Sequence, residues 1–100
     1  VCSSDLSRIR FASRALPVEQ QGEEFHVSWT GRGITRIRFE YRQVNTPDRV
    51  SAQDVSVTAS GSLTFWIRGQ EYVSAGRVSA WRVTLWRHET VAAERHSALW

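Results

Sequence analysis

The amino-acid sequence predicts an all-β domain on three observations. Apolar and polar residues alternate with a period of two, turn signals recur about every dozen residues, and no stretch carries a sustained apolar repeat at i, i+3, i+4 and i+7. The alternation is clearest in Thr35-Arg36-Ile37-Arg38-Phe39-Glu40-Tyr41-Arg42, where odd positions are largely apolar and every even position is charged. Such a segment is a strand with one buried and one solvated face, because successive side chains point to opposite sides of the pleat.

The same pattern puts odd residues inward in Phe25 to Trp29, in Leu63 to Arg68 and in Trp81 to Leu85. Three weaker runs complete a set of seven strands: Arg8 to Ala12, with Ile9 and Phe11 inward, Val50 to Ala59, and Val91 to Trp100. In the fourth strand the apolar positions change parity, from Val50 and Ala52 to Val55, Val57 and Ala59, which predicts a bulge near Gln53-Asp54. Turns are expected at Gln21-Gly22, at Gly31-Arg32-Gly33, where two glycines supply positive φ, at Asn45-Thr46-Pro47-Asp48, at Ser60-Gly61 and along Gly69 to Gly76. No helix longer than a turn is expected. In the last hairpin, Trp81, Val83 and Leu85 should share a face with Val91, Ala93 and Leu99. That parity requires an odd loop such as His88-Glu89-Thr90, with Leu85 opposite Ala93 and Val83 opposite Arg95, because a one-residue slip sends every side chain to the other face. Regularly spaced short strands without crossover helices argue for a sandwich or barrel.

A chain of 100 residues fits one domain, and with 41% apolar residues and five Trp it has ample core-forming material. No apolar run approaches the roughly 20 residues that span a bilayer as a helix. All 13 cationic residues are Arg, a bias that a GC-rich bacterial genome would produce, and the net charge is a modest +3. Residues 1–6, Val1-Cys2-Ser3-Ser4-Asp5-Leu6, resemble the translation of a sequencing adapter. The expectation is therefore a metagenomic fragment whose native domain is residues 7–100, with Cys2 non-native. The compartment stays unassigned, an extracytoplasmic one included.

Phe25 to Trp29, Thr35 to Arg42, Leu63 to Ile67 and Trp81 to Leu85 together resemble strands B, C, E and F of a fibronectin type III domain. The resemblance implies a seven-stranded antiparallel immunoglobulin-like (fibronectin III-like) sandwich. The sequence departs from that family before strand F, where Gly69-Gln70-Glu71-Tyr72 leads through Ala75-Gly76 to Trp81 in place of the usual Leu, Pro and Tyr. The two sheet-bridging cysteines of an immunoglobulin domain are absent.

No motif for chemistry emerges. His26, His88 and His96 sit in or beside strand patterns, and His96-Ser97 are sequence neighbours whose side chains would face opposite ways on a strand, so they form no nucleophile and base pair. His88, Glu94 and His96 lack a metal-ligand spacing. The expectation is no enzyme, no cofactor and no metal. The informative feature is an outward face on which Arg36, Arg38, Glu40 and Arg42 would lie beside Arg82, Thr84 and Trp86. Its candidate binding residues are Arg36, Arg38, Arg42, Trp66, Arg82 and Trp86. They could form a ladder of stacked guanidinium and indole groups, or a docking surface, since Trp and Arg are enriched at binding hot spots.

The function expected is a non-catalytic module of a longer bacterial protein, a structural spacer or a domain that docks a protein partner through this Arg/Trp face. The alternative is a carbohydrate-binding module using Trp66, Trp86 and Trp100, whose even positions point away from the core. Nucleic acid ranks last as a partner, because Glu40, Glu71, Glu89 and Glu94 dilute the positive charge.

Overall fold

The period-two segments form strands in the computed structural model, which describes residues 8–17, 22–58 and 60–100. They are β1 (Arg8–Ala15), β2 (Gly22–Thr30), β3 (Arg36–Gln43), β4 (Thr46–Ser56), β5 (Gly61–Arg68), β6 (Val78–Arg87) and β7 (Thr90–His96), with one helix, α1 (Gln70–Ala75), between β5 and β6. Residues 1–6, with Cys2, lie outside the described residues, as do Gln21 and Ala59. The strands make two antiparallel sheets, ordered β1-β2-β5 and β4-β3-β6-β7.

Odd residues face inward as expected. Ile9, Phe25, Val27, Trp29, Phe65 and Ile67 of the first sheet meet Ile37, Phe39, Tyr41, Val83 and Leu85 of the second, and Ile34 from the β2–β3 loop joins them. Full burial of each such side chain contributes about 1.5–3 kcal/mol. Phe39 is the centre of the aromatic packing, with ring centroids 5.1 Å from Phe25, 5.1 Å from Phe65 and 5.2 Å from Tyr41. At one margin Phe11 stacks on Trp81 at 3.7 Å, which joins β1 to β6 across the sandwich.

Four details differ from the sequence expectation. The bulge expected near Gln53-Asp54 is absent: β3 pairs β4 without a break from Arg36↔Ser56 to Tyr41↔Ser51. Gln53 keeps the inward parity because its amide, at the rim of the sandwich, donates to the Trp66 carbonyl of β5 at 3.4 Å. The chain turns at Val44-Asn45 rather than at Asn45-Thr46-Pro47-Asp48, and Pro47 lies within β4. An edge strand tolerates proline, since the missing N–H need not remove a ladder bond. The Gly69 to Gly76 segment contains α1, whose six residues are too few to show a helical repeat in sequence.

The fourth difference is in the β6–β7 hairpin. Leu85 pairs with Ala93 and Val83 with Arg95, as expected. The turn, however, holds only His88-Glu89, with His88 at φ 56, and the odd count is restored by an extra residue at Ala92 between Trp86↔Val91 and Leu85↔Ala93. Val91 is thereby turned outward opposite Trp86, and Leu99, beyond the strand end, is exposed.

Helix α1 is tied to the core by the hydroxyl of Tyr41, which donates to the Glu71 carboxylate at 2.6 Å. Burial first, and then the bond to Glu71, push the Tyr41 phenol up to about 12. A folded-state value above the unfolded one near 10 means that the neutral phenol stabilises the fold fully below that pH, and that this contribution disappears as pH rises towards 12. Urea denaturation of the wild type at successive pH values should therefore show stability falling across this window. The Tyr41→Phe chain should lack that component.

Candidate functional site

The register of β3 against β6 brings the expected Arg/Trp rows together: Arg36 lies opposite Trp86, Arg38 opposite Thr84 and Glu40 opposite Arg82. The Arg36 guanidinium stands over the Trp86 ring at 4.8 Å from its centroid. Arg38 donates twice to Asp54 of β4, at 2.9 and 3.2 Å, and this hydrogen bond and charge hold the Asp54 carboxyl below its usual range. Arg82 binds Glu40 at 2.7 Å and approaches Glu94 of β7 at 3.9 Å. Trp100 folds back onto the same surface, with Arg42 at 4.8 Å and Arg82 at 5.2 Å from its ring. Thr84 is buried beneath these long side chains.

On this surface carboxylates neutralise Arg38 and Arg82, while Arg36 and Arg42 keep their charge and are stacked on indoles. Each of Arg36, Arg38, Arg42 and Arg82 faces a carboxylate or an indole, so the face presents a closed layer rather than free donors. The stacking also seals Arg36 Nε, Arg42 Nε and Trp86 Nε1 from solvent without a hydrogen-bond partner among the described residues, a cost set against the cation–π attraction.

Trp66 does not belong to this face. It projects from β5 in the other sheet, so it stands on the opposite outer surface, and a platform combining it with Trp86 and Trp100 does not form. The reason is topological: outward parity says that a side chain leaves the core, and only strand order says on which side.

Around Trp66 lies a cluster that the sequence reading treated as isolated residues. Glu24 and His26 of β2 pair with Trp66 and Thr64 of β5. The buried Glu24 carboxylate takes Arg14 at 2.5 Å, His26 Nε2 at 3.2 Å and a hydrogen bond from Trp66. Burial opposes its charge, but the His26 bond, the Arg14 charge and the Trp66 bond outweigh that, and the carboxyl lies below its usual range. The other nitrogen of His26, Nδ1, meets Thr64 Oγ1 at 3.1 Å. Arg68 stands over the Trp66 ring at 5.4 Å.

Glu24, His26 and Thr64 thus form an acid, imidazole and hydroxyl chain, but one laid along an open sheet surface. The signal that could have found this cluster is the shared even parity of residues 24 and 26 with 64 and 66, and it becomes a contact only once β2 is known to pair with β5. His88 and His96 stay apart from it, at a turn and at the end of β7. Among the described residues no three His, Cys, Asp or Glu side chains converge in the manner of metal ligands.

Elsewhere, Val44, Tyr72, Val73, Gly76 and Arg77 line a shallow depression beside α1. No helix among the described residues is long and apolar enough to cross a membrane. Comparison of the chain with protein-family models, with curated proteins and with solved structures gives no match.

Proposed function

We propose that this chain is a non-catalytic, fibronectin III-like module that serves as a structural spacer, its Arg/Trp face acting as a stabilising layer. The observation that carries the proposal is the internal closure of that face, where every guanidinium of the candidate set already has an anionic or aromatic partner. Strand order supports the fibronectin-like assignment: β4 pairs with β3 in the larger sheet, whereas a constant-type immunoglobulin domain places its fourth strand beside the strand equivalent to β5. A long axis of 47 Å against 25 and 20 Å suits a spacer.

The test is a double-mutant cycle on Arg36 and Trp86 read by urea denaturation. Arg36→Ala and Trp86→Ala should each lower stability by about 1 kcal/mol, with a coupling of about 0.5–1 kcal/mol between them. A coupling indistinguishable from zero would mean that the stack does not hold the domain, and the face would then be open to the rival role of docking a protein partner.

A further inference from the structure

The outer face of the three-stranded sheet is chemically unlike the closed Arg/Trp layer. Its outward residues are Arg8, Arg10, Ala12 and Arg14 on β1, Glu24, His26, Ser28 and Thr30 on β2, and Ser62, Thr64, Trp66 and Arg68 on β5. Arg14 is neutralised by Glu24, while among the described residues Arg8, Arg10 and Arg68 have no carboxylate partner. With four arginines and one glutamate among its outward residues, this face carries a net charge of +3.

Relief matters as much as charge. Arg10, Ser28 and Ser62 form one cross-strand row, Ala12, His26 and Thr64 the next, and Arg14, Glu24 and Trp66 a third. Small side chains thus floor the middle of the face, with Trp66 and Arg68 rising at one end and Arg8 and Arg10 diagonally across at the other. Four residues of strand rise separate the Trp66 row from the Arg10 row, about 13 Å. An extended polymer fits that length, and a compact ion does not need it.

We propose that this face binds an acidic polysaccharide, a chain of uronate-type sugars lying across β2 from Trp66 to Arg10. The half-exposed indole offers a π face to the C–H groups of a pyranose ring, whose positive edge suits the negative aromatic face. Arg68, already at the Trp66 ring, and Arg10 at the far end supply charge for carboxylates. Ser28 and Ser62 provide both donors and acceptors for sugar hydroxyls, while both ring nitrogens of His26 are already engaged by Glu24 and Thr64. A single-stranded nucleic acid fits less well. Such chains are held by several aromatics stacking successive bases, whereas the outward residues of this face include one.

Isothermal titration of the chain at low ionic strength with a galacturonate oligomer tests the proposal, with a neutral glucan oligomer, oligothymidylate and polyglutamate as comparators. The galacturonate oligomer should bind best, Trp66→Ala and Arg10→Glu should each weaken it about tenfold or more, and Val91→Thr on the opposite face should leave it unchanged. Absence of galacturonate binding, equal binding of the neutral glucan, or tighter binding of oligothymidylate or polyglutamate each overturns the proposal. Should Trp66→Ala fail to fold by thermal melting, Arg10→Glu decides, and unchanged affinity in that folded variant overturns it equally.

Discussion

Phe39→Ala is expected to remove about 3–5 kcal/mol of stability, most of what a domain of this size commands. Phe39 is completely buried and its ring touches rings from both sheets, Phe25 and Phe65 on one side of the core and Tyr41 on its own strand. Truncation leaves a cavity between two sheets whose backbones are fixed by their ladders, so the walls can collapse only partly and the lost contacts are not regained. In urea denaturation the midpoint should fall sharply while the slope, which reports the surface exposed, stays near the wild-type value. A loss under about 1 kcal/mol would mean that the interior repacks freely, contrary to the interlocked rings described above. Val91→Ala provides the contrast, because Val91 is 47% exposed and its removal should change stability by no more than about 0.5 kcal/mol.

Gly76→Ala is expected to cost about 2–4 kcal/mol, from two separable causes. Gly76 closes α1 at φ 85 and ψ −169, a region that side-chain-bearing residues scarcely enter. A Cβ there would also stand 2.6 Å from Val44 Cγ2 and 3.2 Å from Asn45 Nδ2. Relief by moving the backbone is blocked, since the Gly76 carbonyl accepts from the buried Gln43 amide at 2.8 Å and displacement would leave that amide unpaired. Adding Val44→Ala to Gly76→Ala should recover the steric part and leave the conformational part. Gly69→Ala, at φ 72 with no atom within 4 Å of its Cβ position, should show the conformational part alone. If Gly76→Ala and Gly69→Ala cost the same, the contact with Val44 contributes nothing.

Much of the architecture was legible in residue order. Alternation identified Phe25, Val27, Trp29, Ile37, Phe39, Tyr41, Phe65, Ile67, Val83 and Leu85 as inward, and all are buried. Joined to the fibronectin-like strand order, it also put Arg36, Arg38 and Glu40 on one outward face with Arg82, Thr84 and Trp86, and the register of β3 on β6 then set which stand opposite each other. Alternation failed where a single local device overrides it. Gln53 keeps an inward place by bonding across to β5, Ala92 absorbs an extra residue in β7, and two glycines enclose a helix too short to have a period.

By itself, then, the sequence determined the all-β class, the number of strands and which side of β1, β2, β3, β5 and β6 is wet, because a pleated backbone alternates its side chains whatever lies beside it. Which outward faces coincide was decided only by the tertiary structure. Pairing β2 with β5 and β3 with β6 put Trp66 and Trp86 on opposite surfaces. The same pairing matched one set of arginines with Asp54, Glu40, Trp86 and Trp100 and left Arg8, Arg10 and Arg68 without carboxylate partners among the described residues. Charge neutralisation acts over a few ångströms between strands distant in sequence, and parity along one strand carries no information about it.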